Sequence, residues 1–290
     1  MNKKRGFTLI ELLVVIAIIA LLMSILMPAL SKVKKQATAV VCRSRMKQWG
    51  VVFSMYTNEN DGFFHSREIG TVPGYSKMWP YVYKTKYNDP KMRFCPSAEN
   101  PQRDTGPFGT WNYTVGSYYP LSDPILRMPG EREYEKRSGT VVDGFFTGSL
   151  GMNRLIENMK GGPATVADPA FWRKADWKGG DRVPVLMDAQ YLYYNPGSKT
   201  EPPEYNGAYT GGEMKWICID RHMGYNNIVY LDFSARKTPL KELWSLKHTR
   251  TFDTCDMWTI CGNGGGNAGK STTKGLWDIA APWMSSMPVY

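Results

Sequence analysis

The sequence predicts an α+β fold: a long N-terminal α-helix packed on a C-terminal antiparallel β-sheet domain with long loops. Three observations predict it. An apolar run extends from Phe7 to Met27, interrupted only by Thr8, Glu11 and Ser24. Beyond it, Cys42, Met46, Trp49, Phe53 and Tyr56 recur at intervals of 4, 3, 4 and 3, which puts all five on one helical face. After Gly62 the chain changes to short segments set among Gly, Pro, Trp and Tyr, the pattern of strands and turns. Three regions follow: a leader over residues 1–6, a helix over 7–57 and a globular α+β domain over 58–290.

The apolar run is 21 residues long, about 30 Å of helix and enough to cross a hydrocarbon core. Lys3, Lys4 and Arg5 stand just before it, which holds the N-terminus in the cytoplasm and places the chain after Pro28 outside the inner membrane. An ordinary signal peptide would carry a small-residue cleavage motif after a shorter core, and Ser24 to Ala29 offers only a poor one with bulky residues between. A carboxylate at the depth of Glu11 is costly, so it calls for a positive partner and a role.

Pro28 removes one backbone donor, but helical periodicity resumes at once, so a kink is expected there and not an end. The polar side beyond it is basic, with Lys32, Lys34, Lys35, Arg43, Arg45 and Lys47. The stripe from Cys42 to Tyr56 must cover a partner surface, and a sheet is the natural one. Asn58-Glu59-Asn60-Asp61-Gly62 is turn chemistry and ends the helix. From Phe7 to Thr57 it would span about 77 Å.

The roughly 230 residues that follow suffice for one globular domain. From Phe63 to Arg182 short strands and turns are expected, with Thr140 to Thr147 as one strand. Val183 to Tyr191 is a second, and Pro184 suits its first positions. Asn227 to Leu240 reads as a strand pair turning near Asp232 to Ala235. Tyr194 to Gly212 reads as a surface loop, and the glycine-rich stretch from Gly262 to Gly269 is expected to be mobile.

The net charge of +10 is scattered and accompanies no recognition motif, so nucleic acid is not an expected partner. Gly264 to Ser271 satisfies the phosphate-loop pattern, yet only 19 residues follow Ser271, too few for the parallel sheet such a loop needs. Five cysteines without a Cys-x-x-Cys pair, in a domain placed outside the cytoplasm, favour structural disulfides over a metal. Cys42, on the buried helical face, and Cys95, beside Pro96, are the expected pair. Their bond would close a large loop and contribute about 4 kcal/mol.

Lys4-Arg5-Gly6 followed by Phe7-Thr8-Leu9-Ile10-Glu11 resembles the leader and cleavage site of type IV pilins and type II secretion pseudopilins. The resemblance implies that a prepilin peptidase cuts between Gly6 and Phe7 and methylates the new N-terminus. Glu11 then becomes the fifth residue and pairs with the N-terminal amine of a neighbouring subunit. A second likeness lies at Arg221 to Asp232, which is similar to a motif of pilin-like proteins with His, nine residues, then Asp-Gly. His222, Gly224, Asn227 and Asp232 match it, while Phe233 stands in place of the final glycine. Phe94-Cys95-Pro96-Ser97 and the segment from Cys42 to Gln48 also look like that group, whereas much of residues 98–180 is unmatched. With no nucleophile at motif spacing, His222 and Asp232 are expected to share a buried hydrogen bond that pins a hairpin, Gly224 and the Asn pair supplying its turn.

The expected function is therefore that of a structural subunit of a type IV pilus-like or type II secretion pseudopilus filament, not of an enzyme. Its partners would be the prepilin peptidase, other copies of itself or related pilins, and the inner membrane. It would pass once through that membrane, with a periplasmic C-terminal domain that reaches the cell surface on assembly. No metal and no cofactor are expected, although the resemblance leaves room for calcium, which some pseudopilins hold through loop carboxylates. The rival reading is a membrane-anchored binding protein whose Trp- and Tyr-rich middle region holds a glycan or surface polymer.

Overall fold

The computed structural model describes residues 8–65, 79–83, 86–87, 89–98, 111–114, 145–158, 170–197, 200–207, 212–255, 258–259 and 281–287. Helix α1, Leu9–Glu59, is a single helix of 51 residues that passes through Pro28 unbroken. It ends in the foreseen turn, where the Asn60 and Gly62 amides both donate to the Thr57 carbonyl and Asp61 and Gly62 take positive φ of 53° and 81°. Cys42, Met46, Trp49 and Phe53 are buried as their spacing requires, and Tyr56 packs half-buried beside them.

Trp49 centres this face. Its ring meets Trp79 edge-on at 5.1 Å and Tyr87 at 4.9 Å, and its Nε1 donates to the Met92 carbonyl at 2.7 Å. Trp79 opens a short helix α2, Trp79–Val82, where strands and turns had been expected. Four residues carry no periodic signal; the aromatic contacts hold this turn, since an isolated one is not stable by propensity.

Two strands, β1 Trp111–Thr114 and β2 Phe145–Gly148, pair antiparallel. The strand expected over Thr140 to Thr147 is thus met from Phe145 onward, and residues 140–144 lie outside the described ones. Strands β3 Leu150–Asn153, β4 Pro184–Asp188, β5 Tyr193–Tyr194, β6 Tyr225–Tyr230 and β7 Ala235–Pro239 form a second sheet in the order β5-β3-β4-β6-β7. The two segments expected as a strand and a strand pair are β4 and β6–β7. Pro184 starts its strand, where a missing N–H is tolerated.

The sheet is mixed and not purely antiparallel, because β5 runs parallel to β3. Gly151 is the reason. A Cβ there would lie 2.5 Å from the Tyr191 carbonyl oxygen and 2.6 Å from the Ala189 Cβ, so only glycine lets the chain leaving β4 cross β3 and pair on its far side. The expected surface loop after Tyr194 is partly core, since Pro202 and Pro203 are buried and the Pro203 carbonyl accepts from Trp283 Nε1 at 3.0 Å.

Both faces of this sheet are covered. Val229 and Leu231 join Leu150, Met152 and Leu186 under α1, while Ile228 and Tyr230 join Met187 under Met214, Leu240, Leu243 and Trp244. Successive residues of β6 thus alternate between the two cores, as strand geometry requires. Helix α1 lies chiefly on β6 and β7. The closest approach is at Gly50, where a Cβ would sit 2.3 Å from the Phe233 carbonyl oxygen in the β6–β7 turn.

The phosphate-loop pattern, the Gly262 to Gly269 stretch and Cys261 lie outside the described residues. Gly50 yields a prediction whose sign opposes helix propensity. Alanine in a helix normally stabilises by about 1 kcal/mol over glycine, but Gly50→Ala drives a methyl into a backbone carbonyl and should destabilise by about 1–3 kcal/mol. Thermal unfolding of the full chain in mild detergent reads it, and a raised Tm would show that α1 and the hairpin are not in this contact.

Candidate functional site

The N-terminal end of α1 is built around Glu11. Its carboxylate Oε2 accepts from the Thr8 amide and the Thr8 hydroxyl, each at 2.8 Å, while the Glu11 amide donates to Thr8 Oγ1 at 3.3 Å. This reciprocal capping box satisfies two amides of the helix start, where the helix dipole also favours a negative group. Leu9 to Val33 presents its large apolar side chains exposed, and Val40 and Val41 do the same. The helix is long and apolar enough to cross a membrane, and its most apolar stretch is not buried by the rest of the chain. Gly6 and Phe7 lie outside the described residues.

A second constellation sits inside the domain. Cys42, Cys95, Asp188 and His222 converge so that one donor atom from each lies within 4.8 Å of all the others, and each residue is at most 2% exposed. Each comes from a different element. Cys42 lies on the buried face of α1. Cys95 follows a 3-10 turn at Pro90–Arg93, which α1 grips through Arg45 Nη1 to the Phe94 carbonyl at 2.7 Å and through Trp49 to Met92. Asp188 ends β4, where an Asn226 amide side chain bridges to its main chain at 3.0 and 2.9 Å. His222 stands just before β6.

The contacts are close. Cys42 Sγ lies 3.5 and 3.6 Å from the Asp188 oxygens, Cys95 Sγ is 3.2 Å from His222 Nε2, and His222 Nε2 is 3.1 Å from Asp188 Oδ2. Around them the Ser97 amide donates to Cys95 Sγ at 3.4 Å and the Asn227 amide to Asp188 Oδ2 at 3.4 Å. Arg221 Nη1 lies 3.7 Å from Asp188 Oδ1.

Burial alone would lower His222, but the Asp188 carboxylate and Cys95 push its imidazole up to about 10. Burial likewise opposes ionisation of Cys95, yet hydrogen bonds from Cys42 and His222 bring it down to about 6. Asp188 is held below the usual carboxylate range against its own desolvation by His222 and then Arg221. Cys42 is driven well above the normal thiol range by burial, then by Cys95 and Asp188. The site therefore favours Asp188 ionised, His222 and Arg221 cationic and Cys42 as a thiol donating to Asp188.

Two expectations are corrected here. Cys42 and Cys95 do meet, but both are free thiols and make no disulfide; their sulfurs face Asp188 and His222. Cys218 is a third buried free thiol, and Cys255 is disulfide-bonded. His222 does not pair with Asp232. The two stand at opposite ends of β6, whose six residues extend about 20 Å. Asp232 is exposed in the β6–β7 turn, where it accepts from the Ser234 amide at 3.0 Å and the Ser234 hydroxyl at 2.7 Å.

Gly224 holds a positive φ of 86°, its amide bonded to Asp220 Oδ1 at 2.6 Å, and so shapes the entry to β6. Asn227 lies within the strand, not in a turn. Sequence reasoning missed Asp188, Arg221 and Asn226. The available signal was the acidic end of an otherwise apolar strand, Val185-Leu186-Met187-Asp188, since a buried carboxylate requires partners.

Residues 1–27 match the prokaryotic N-terminal methylation motif. The chain is also similar to the type IV wide pilus major component PilA4 of Thermus thermophilus, 40% identical over 63 residues, which is 22% of this chain and 48% of that protein. The chain thus spans about half the length of the curated relative it matches. No solved structure matches it significantly.

The two aspartates separate the observed pairing from the expected one. Asp188→Ala leaves the Arg221 and His222 cations buried without their carboxylate and should cost about 3–5 kcal/mol, whereas Asp232→Ala should cost less than about 1 kcal/mol. Urea or thermal unfolding of the two variants checks this. Equal losses would restore the pairing of His222 with Asp232.

Proposed function

We propose that this chain, type IV pilin-like in its N-terminal segment, is a structural subunit of a filament of the type IV pilus or type II secretion pseudopilus kind. The observation that supports the reading most is the division of α1. Its C-terminal part is locked into the domain core through Cys42, Met46, Trp49 and Phe53, whereas its N-terminal part is apolar and uncovered by the rest of the chain. A surface of that extent does not persist in water. Lipid would cover it before assembly, and the helices of neighbouring subunits afterwards.

The subunit would wait in the inner membrane with its N-terminus cytoplasmic and its domain periplasmic, as Lys3, Lys4 and Arg5 direct. Prepilin peptidase would cut between Gly6 and Phe7 and methylate Phe7. That leaves Thr8 as the second residue and Glu11 as the fifth. Glu11 then exchanges its hydroxyl and amide donors on Thr8 for the N-terminal amine of an adjacent subunit. A full ion pair in lipid outweighs a neutral hydrogen bond there and selects the register between subunits. The role is structural and calls for no catalytic group.

Two measurements test this. Intact mass of protein from its native membrane should lack residues 1–6 and carry one added methyl group; Met1 retained in cells with an active peptidase would refute the processing. Glu11→Ala should leave folded protein accumulating in the membrane with filament yield reduced at least tenfold, about 1.4 kcal/mol or more per contact. Unchanged filaments in electron micrographs would exclude the pairing role.

A further inference from the structure

We propose that Cys42, Cys95, Asp188 and His222 form a tetrahedral zinc site that ties helix α1 to three separate parts of the domain. The inference does not depend on filament assembly. It rests first on geometry. A tetrahedron with metal–ligand distances of about 2.0–2.3 Å has ligand–ligand edges of about 3.3–3.8 Å. With Asp188 Oδ2 as the carboxylate donor, the contacts of 3.6 Å from Cys42 Sγ to that oxygen, 3.2 Å from Cys95 Sγ to His222 Nε2 and 3.1 Å from His222 Nε2 to that oxygen are close to those edges, with one donor atom from each residue inside 4.8 Å of the rest.

The donor chemistry points the same way. Two sulfurs, one imidazole nitrogen and one carboxylate suit a borderline-soft divalent ion, and zinc takes such a set in four-coordinate sites. Calcium requires six to eight oxygens, and this cluster offers a single carboxylate. The outer groups are those that steady metal ligands: the Ser97 amide on Cys95 Sγ, the Asn227 amide on Asp188 Oδ2, and Arg221 beside Asp188 Oδ1.

Charge also balances. Two thiolates, the Asp188 carboxylate and neutral His222 carry three negative charges, which one divalent ion and the Arg221 guanidinium neutralise. Binding exchanges the ion for two protons displaced from the ligands, so no net charge is left in the core. Two other uses of the cysteines fit less well. A nucleophilic thiol needs access to substrate, and both cysteines are buried, each residue 1% exposed. A disulfide would use the two sulfurs but would leave Asp188 and His222 aimed at them without a purpose.

The sequence spacing hid this site, because its ligands lie 53, 93 and 34 residues apart along the chain. No local zinc motif has such gaps. Only the packing of α1 on the sheet brings them together.

The full chain, extracted in mild detergent without chelator, tests the proposal by its metal content. About one zinc per chain is expected, with Cys42 and Cys95 recovered as unmodified thiols after alkylation of the native protein. A strong chelator should remove the zinc and lower the Tm, and added zinc, but not calcium or magnesium, should restore it. Cobalt in place of zinc should give the thiolate charge-transfer band and tetrahedral d–d bands, and Cys42→Ser should lower the charge-transfer intensity to about half. Because the chelator and cobalt arms use the unmutated chain, a misfolded variant leaves the result readable. A Cys42–Cys95 disulfide in unreduced peptide maps, or a metal-free chain that binds no cobalt, overturns the proposal.

Discussion

The burial of one stripe of α1 against the sheet is the interaction on which the rest of this structure depends. Cys42, Met46, Trp49 and Phe53 turn the last five turns of a 51-residue helix into a core element. Burying a side chain of this kind stabilises by about 1.5–3 kcal/mol, and the stripe carries four. Trp49 extends the effect by gathering Trp79, Tyr83 and Tyr87 around its ring and by fixing the Met92 carbonyl. That fixed segment is what delivers Cys95 to Cys42. The candidate metal ligands are thus consequences of helix packing, not of any local loop.

The same helix meets two environments. Its domain end shows a polar side rich in Lys and Arg and a buried apolar side. Its N-terminal part is apolar all round, apart from Thr8, Glu11 and Ser24. A helix of the second kind belongs in lipid or among other helices. Because both parts belong to one continuous helix that runs through Pro28, the orientation of the domain is carried to whatever the apolar part packs against.

The β6–β7 turn places a bulky side chain where the backbone favours glycine. Phe233 adopts a positive φ of 63°, the left-handed position of a three-residue hairpin loop that glycine fills without strain. A side chain there costs about 1–2 kcal/mol. Phe233 offsets it by packing its ring against Phe64 at 6.5 Å and by joining the core under α1. Its carbonyl is the atom that Gly50 admits at close range, so the turn and the helix fix each other.

The sequence by itself determined everything that has a short period. Hydropathy and charge around Phe7 to Met27 marked the apolar helix and Glu11, since a carboxylate in such a run is rare whatever the tertiary fold. The 4, 3 spacing from Cys42 marked the buried face. Turn residues at Asn58 to Gly62 ended the helix where they should. What only the tertiary structure decided are the pairings between elements distant in the chain. Sequence separation says nothing of which side chain faces which, so His222 was matched with Asp232, ten residues on, when β6 carries that residue about 20 Å away. Its actual neighbours, Asp188 and Cys95, come from β4 and from the segment under Trp49. The parallel β5 followed from a crossing that Gly151 permits at contact distance, and a glycine in a sequence does not announce what passes over it. Cys42 and Cys95 were foreseen to meet. Which chemistry they share was set by two further residues that packing, not spacing, placed between them.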